Sequence, residues 1–167
     1  MDTTNNADFF VKMALMAWHS QNKYLSNLVD SLADEQLAAE IAPGRNTGTY
    51  LLGHLIAVSD AMLPVLGFGT TLYPEMEEVF ITKPDKSGLP FPSATELKKR
   101  LATLNEALNA HFSATDTNGW LSRHTLVSPE DFAKEPHRNR LNVLLNRTAH
   151  MANHIGQMLL LKPPAAE

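Results

Sequence analysis

The sequence predicts an all-α protein, a four-helix bundle, and three observations carry that expectation. Apolar residues recur at three- and four-residue spacing in four long segments. Stretches holding proline and glycine separate those segments, and no alternating strand-like run interrupts them. Helices of about 20 residues with an apolar stripe bury it most simply against one another. The 167 residues are expected to form one domain, 1–167, long enough for a real core.

The first helix is expected from Asn6 to Leu32, where Phe10, Ala14, Ala17, Trp18, Gln21, Leu25, Leu28 and Leu32 repeat without an intervening Gly or Pro. A short helical turn follows in SLADEQLAAE before the breakers Pro43 and Gly44. Thr47 is a suitable N-cap for a second helix to Leu66, whose sides are nearly all apolar, as in a buried helix. Residues 67–92 form a long connection with one turn at PEMEEVF, the kind of segment that serves as a lid or crossover. Ser93 with Glu96 reads as a capping box opening a third helix to Ala114. An irregular stretch, 115–138, contains Trp120, His124 and the turn SPEDF. The fourth helix spans Asn139 to Leu161 and ends at KPPAAE, since proline cannot continue it. Two long connections, between helices two and three and between three and four, permit a crossover topology.

Composition removes several function classes. With no cysteine, the chain has no disulfide framework, thiolate metal site, iron–sulfur cluster or cysteine nucleophile. A net charge of −4 argues against nucleic acid as partner, and KKR at 98–100 reads as a solvated helix face. No uninterrupted apolar run is long enough for a membrane span, and the N-terminal segment has no basic region ahead of its apolar residues. A cytoplasmic protein acting on a small molecule is expected. HExxH, Glu-x-x-His, GxGxxG, P-loop and GxSxG patterns are all absent.

Seven histidines are the unusual feature. His150 and His154, in HMANHIGQM, stand one helical turn apart, about 40° around the axis, so both can meet one ion or ligand. The predicted core stripe of that helix is Leu144, Thr148, Met151, Ala152, Ile155 and Leu159, with His154 at its edge. His54 sits on an apolar face with Tyr50, Leu51, Val58, Ala61 and Val65, where a neutral imidazole needs a partner. Alone, His54 reads as a core histidine bonded to a carbonyl or hydroxyl. If the three converge, they supply the three imidazoles of an open zinc-type site, a donor set suited to zinc, nickel, cobalt or iron. Asn146, Arg147 and Gln157 flank the pair as supporting or pocket residues, and His124 is a further pocket candidate. The acid–base candidates are Asp60, which reads first as an exposed or capping residue, Glu75, Glu77 and Glu78 in the long connection, and His124. Ala149, Gly156 and Leu160 form a flank of small and apolar residues open to a neighbouring helix or a second chain.

AWHSQNKYL in the first helix, TYLLGHLIAVSD in the second and HMANHIGQM in the last resemble the DinB/YfiT-like superfamily of metal-dependent enzymes, the DNA-damage-inducible four-helix bundles. The resemblance implies an up-down-down-up bundle, often dimeric, with the metal triad falling on His54, His150 and His154. It implies a divalent transition metal, zinc or nickel foremost. The activities implied are hydrolysis or S-transfer with a low-molecular-weight thiol as cofactor. The alternative is a non-catalytic stress-response or binding bundle with a structural or vestigial metal site.

Overall fold

In the computed structural model, which describes residues 3–163, four long helices carry the core and short turns join them. Helix α1 spans Thr3–Asp30, and after the short α2 (Asp34–Ala38) comes α3, Gly48–Asp60. A second short helix, α4, covers Met62–Val65, and one π-helical turn covers Glu78–Thr82. The remaining helices are α5 (Ala94–Ala114), α6 (Thr117–Leu121), α7 (Pro129–Lys134) and α8 (Arg140–Met158), the last closed by a 3₁₀ turn at Leu159–Leu161. There is no β-strand among the described residues.

Local chemistry explains the helix ends. Thr47, Ser93 and Asn139 cap α3, α5 and α8 by accepting the N–H groups of Tyr50, Glu96 and Asn142. The capping box at Ser93 is only half made, because the Glu96 carboxylate turns to Arg100 at 3.2 Å. The second long segment is not one continuous helix. Pro64 has no N–H for the carbonyl of Asp60 and its ring crowds that carbonyl, so the helix breaks at Ala61 and restarts. Gly67, at φ +74°, then closes α4: Phe68 N–H reaches Leu63 O at 2.8 Å and Gly67 N–H reaches Pro64 O at 3.1 Å. Helix α1 stops two residues short of its predicted end, where the Ser31 hydroxyl donates to the Leu28 carbonyl at 2.7 Å.

Helix α1 lies against α5 and α8, and α3 lies against the same two. Trp18, Phe112 and Trp120 meet edge-on at one end of the core, with ring centroids 5.8 and 5.1 Å apart. All of α3 is buried except His54. The stretch Gly48–Val65 is apolar and long enough to cross a membrane, yet it is mostly buried inside the fold as its central helix. On α8 the buried line is Leu144, Met151, Ile155 and Met158. Ala152 and Leu159, expected in the core, are exposed. The core line is therefore turned toward the histidines, and the opposite flank is left outside.

Candidate metal centre

His54, at mid-α3, and His150 and His154, in the C-terminal half of α8, converge with one ring nitrogen each within 4.8 Å of the others. Nε2 of His150 lies 3.3 Å from Nε2 of His54 and 3.1 Å from Nε2 of His154. Tetrahedral zinc with Zn–N bonds of about 2.0–2.1 Å sets its imidazole nitrogens about 3.3 Å apart. The two edges at His150 match that separation, and the third lies within 4.8 Å.

The outer nitrogens decide which atoms face inward. His54 Nδ1–H donates to the backbone carbonyl of Phe80 at 2.7 Å, and His154 Nδ1–H donates to Gln157 Oε1 at 2.8 Å. Both rings thus present bare Nε2 lone pairs to the centre. Only His150 has a proton to offer, and one proton cannot satisfy both neighbours. His150 Nδ1 is itself buried without a partner. A cation bound by the three nitrogens resolves this crowding of lone pairs, and the carbonyl and amide behind the rings are the supports that imidazole ligands use.

Electrostatics favour the unprotonated form of two of the ligands, His150 and His54. Burial, followed by the charges of His154, His54 and Arg147, pushes His150 down to about 4. His54 is also held below its ordinary value. Burial is the main cause, the Phe80 carbonyl opposes it, and His154 and Arg147 add to it. Neutral imidazoles at neutral pH are ready to bind a metal without first losing a proton.

The carbonyl behind His54 is brought there by residues 67–92. Gly53 lets the Phe80 ring lie flat on α3, since a Cβ at that position would come 2.2 Å from the ring. Tyr50, stacked beside His54, donates its hydroxyl to Lys83 O at 2.7 Å. Asp60 is buried rather than exposed, and each carboxylate oxygen accepts a backbone N–H, from Leu72 and Tyr73, at 2.8 Å. Asp60 is therefore an anchor for the connection and not an acid–base group at the triad. Glu75 is drawn to Arg100 at 2.5 Å, and Glu77 and Glu78 are exposed. No carboxylate joins the three-histidine group among the described residues.

Of the supporting residues expected from sequence, Gln157 bonds His154, and Arg147 is half-buried with its charge felt by His54 and His150. Asn146 is exposed. His124 sits at the far end, beside Val65 and the start of α8, where Thr125 N–H reaches Val65 O at 3.0 Å. Eleven residues of helix, roughly 16 Å, separate that end from His150. The Phe80 carbonyl, Gly53 and Tyr50 were not singled out from sequence as parts of the site. A glycine next to a helical histidine was the one available sign.

A family model described as the DinB superfamily matches residues 17–158, which include all three histidines. A solved structure, "Crystal structure of the conserved protein of locus from Enterococcus faecalis", is similar over 96% of this chain and 95% of that one, at 15% identity and a TM-score of 0.60. That likeness speaks for the fold alone. No curated protein matches the chain. With a match over most of its length and an all-helical fold that fits, the chain belongs to the DinB superfamily.

Proposed function

We propose that His54, His150 and His154 hold one divalent transition metal, zinc or nickel, and that the protein is a metal-dependent enzyme acting on a small molecule. When bound, such an ion supplies a Lewis acid that lowers the pKa of a coordinated water or thiol. The chain's own part is to hold His54 and His154 in fixed tautomers, through Phe80 O and Gln157 Oε1, with Nε2 of His150 set between them. Between the hydrolase and the thiol-dependent S-transferase that fit such a site, one observation favours the thiol. Among the described residues no carboxylate joins the triad to take a proton from water, whereas a thiol with a lowered pKa needs no such base. Adding 2-mercaptoethanol to the cobalt(II)-loaded protein tests this: a sulfur-to-cobalt charge-transfer band is expected. A spectrum unchanged at millimolar thiol would return the reading to a hydrolase or a structural site.

The proposal includes an up-down-down-up course for α1, α3, α5 and α8. Lys98 at the start of α5 reaches Leu32 O past the end of α1 at 3.4 Å, while Thr117, after α5, bonds Asp8 near the start of α1. Gln36 Nε2 meets Leu161 O at 3.5 Å, which favours α8 ending beside the end of α1. Val65 O beside Thr125 sets the far end of the second segment near the start of α8.

A homodimer is proposed through the outer face of α1 and α8. Phe10, Met13, Leu145 and Leu160 are exposed there, and a groove lined by Phe10, Met13, Ala14, Ala17, Leu141 and Leu145 runs between the helices. Gly156 has nothing within 4 Å of a built Cβ, so packing within the chain does not require a glycine there. Sedimentation at micromolar concentration is expected to give twice the chain mass of 18.5 kDa, and Met13→Glu to halve it. A single-chain mass for the unaltered protein would end this part of the proposal.

A further inference from the structure

Arg147 differs from the other partly buried arginines. Arg100 is engaged by Glu96 and Glu75 and Arg138 by Glu135; Arg140 also lacks a carboxylate, but it lies 5.7 Å from the Phe68 ring centre with its unpartnered Nε sealed from solvent. Among the described residues no carboxylate pairs with Arg147, and none of the side-chain hydrogen bonds found there involves it. A guanidinium brought partly out of water with five donors unfilled is costly unless something else fills them. Its nitrogens are not among the polar atoms sealed from solvent, so a ligand can reach them.

Position adds to this. Arg147 precedes His150 by three residues and His154 by seven, so the three side chains leave α8 within about 60° of one another. The triad contributes no negative charge, and among the described residues no acidic residue joins it. A divalent ion held there and a guanidinium one turn away would set positive charge on two sides, with no carboxylate among the described residues paired to either.

We infer that Arg147 is the anion-binding half of the site, and that its substrate carries a compact oxyanion, carboxylate or phosphate, seated on the guanidinium while a donor atom faces the triad. The inference rests on the metal reading above and names the class of small molecule it serves. Arginine suits the task because its planar fork meets an oxyanion through two parallel hydrogen bonds. The role is recognition: Arg147 fixes which ligands dwell near the triad.

The test compares two thiols on cobalt(II)-loaded full-length protein, following the cobalt absorption. The carboxylate-bearing 3-mercaptopropionate is expected to bind about tenfold more tightly than uncharged 2-mercaptoethanol, the worth of one charge-assisted hydrogen bond. Arg147→Met should erase that preference by weakening only the charged thiol, with cobalt stoichiometry kept, and Arg147→Gln serves if the methionine variant does not fold. Equal affinities in the unaltered protein, or a preference that survives loss of the guanidinium, would overturn the inference. Should the protein take no cobalt, the metal reading falls alone. The Arg147 role is then read on metal-free protein from the ¹⁵N resonance of Arg147 Nε. A saturable shift with acetate or inorganic phosphate supports it and identifies the better oxyanion, and no shift with either refutes it.

Discussion

Gly53→Ala is expected to lower stability and metal affinity together, although residue 53 touches no ligand atom at the centre. A methyl group there would lie 2.2–2.5 Å from three atoms of the Phe80 ring, which is fully buried and has nowhere to retreat. Overpacking of this kind costs about 1–3 kcal/mol. As the ring is pushed outward, the Phe80 carbonyl leaves His54 Nδ1, now 2.7 Å away, and the tautomer that bares Nε2 loses its support. Loss of such a support costs roughly 10–100-fold in metal affinity. Phe80→Leu in the same chain should recover part of both losses, because a smaller side chain makes room for the methyl group. Thermal melts and a competitive metal titration measure the two effects. A Gly53→Ala protein with unaltered melting and affinity would show that the Phe80 contact does not hold the site.

The other large effect is expected at Asp60. Its carboxylate, 2% exposed, accepts the backbone N–H groups of Leu72 and Tyr73 at 2.8 Å each. Alanine would leave both donors without their acceptor, and hydrogen bonds to a charged group contribute about 1.5–3 kcal/mol each. A loss of about 3 kcal/mol or more follows from that figure. Asn is expected to rescue it poorly, since one of its two positions becomes a donor facing a donor. Local release should accompany the loss: proteolysis within residues 67–92 should accelerate, because the clamp starts that connection on its path to Phe80. If Asp60→Ala melted like the unaltered protein and resisted protease equally, the anchor reading would be wrong.

How much could be read from sequence depended on whether the determinant is a side-chain pattern or a meeting of distant groups. The helical class, the caps at Thr47, Ser93 and Asn139, and the shared face of His150 and His154 all follow from periodicity and local chemistry. The break at Ala61 was missed in the expectation of one helix to Leu66, although Pro64 forbids a bond to the carbonyl four residues back. Helix α6 is only five residues long and is set by its Asp116 cap and the burial of Trp120, too short for an apolar repeat. Ala152 and Leu159 were misplaced because a helical wheel fixes angles within α8 but not which angle faces the core. The Phe80 carbonyl had no signature at all: any residue has a carbonyl, and only the fold brings this one to His54. The same holds for Asp60, whose partners come from backbone twelve and thirteen residues on.

The central claim is that three histidines from two helices hold one metal. Elemental analysis after metal loading and desalting, run beside a His150→Ala, His154→Ala double variant of matched helicity, tests it most directly. One equivalent of a divalent transition metal per chain is expected in the unaltered protein, and close to none in the variant. Equal metal in the two proteins, or none in either, would contradict the account.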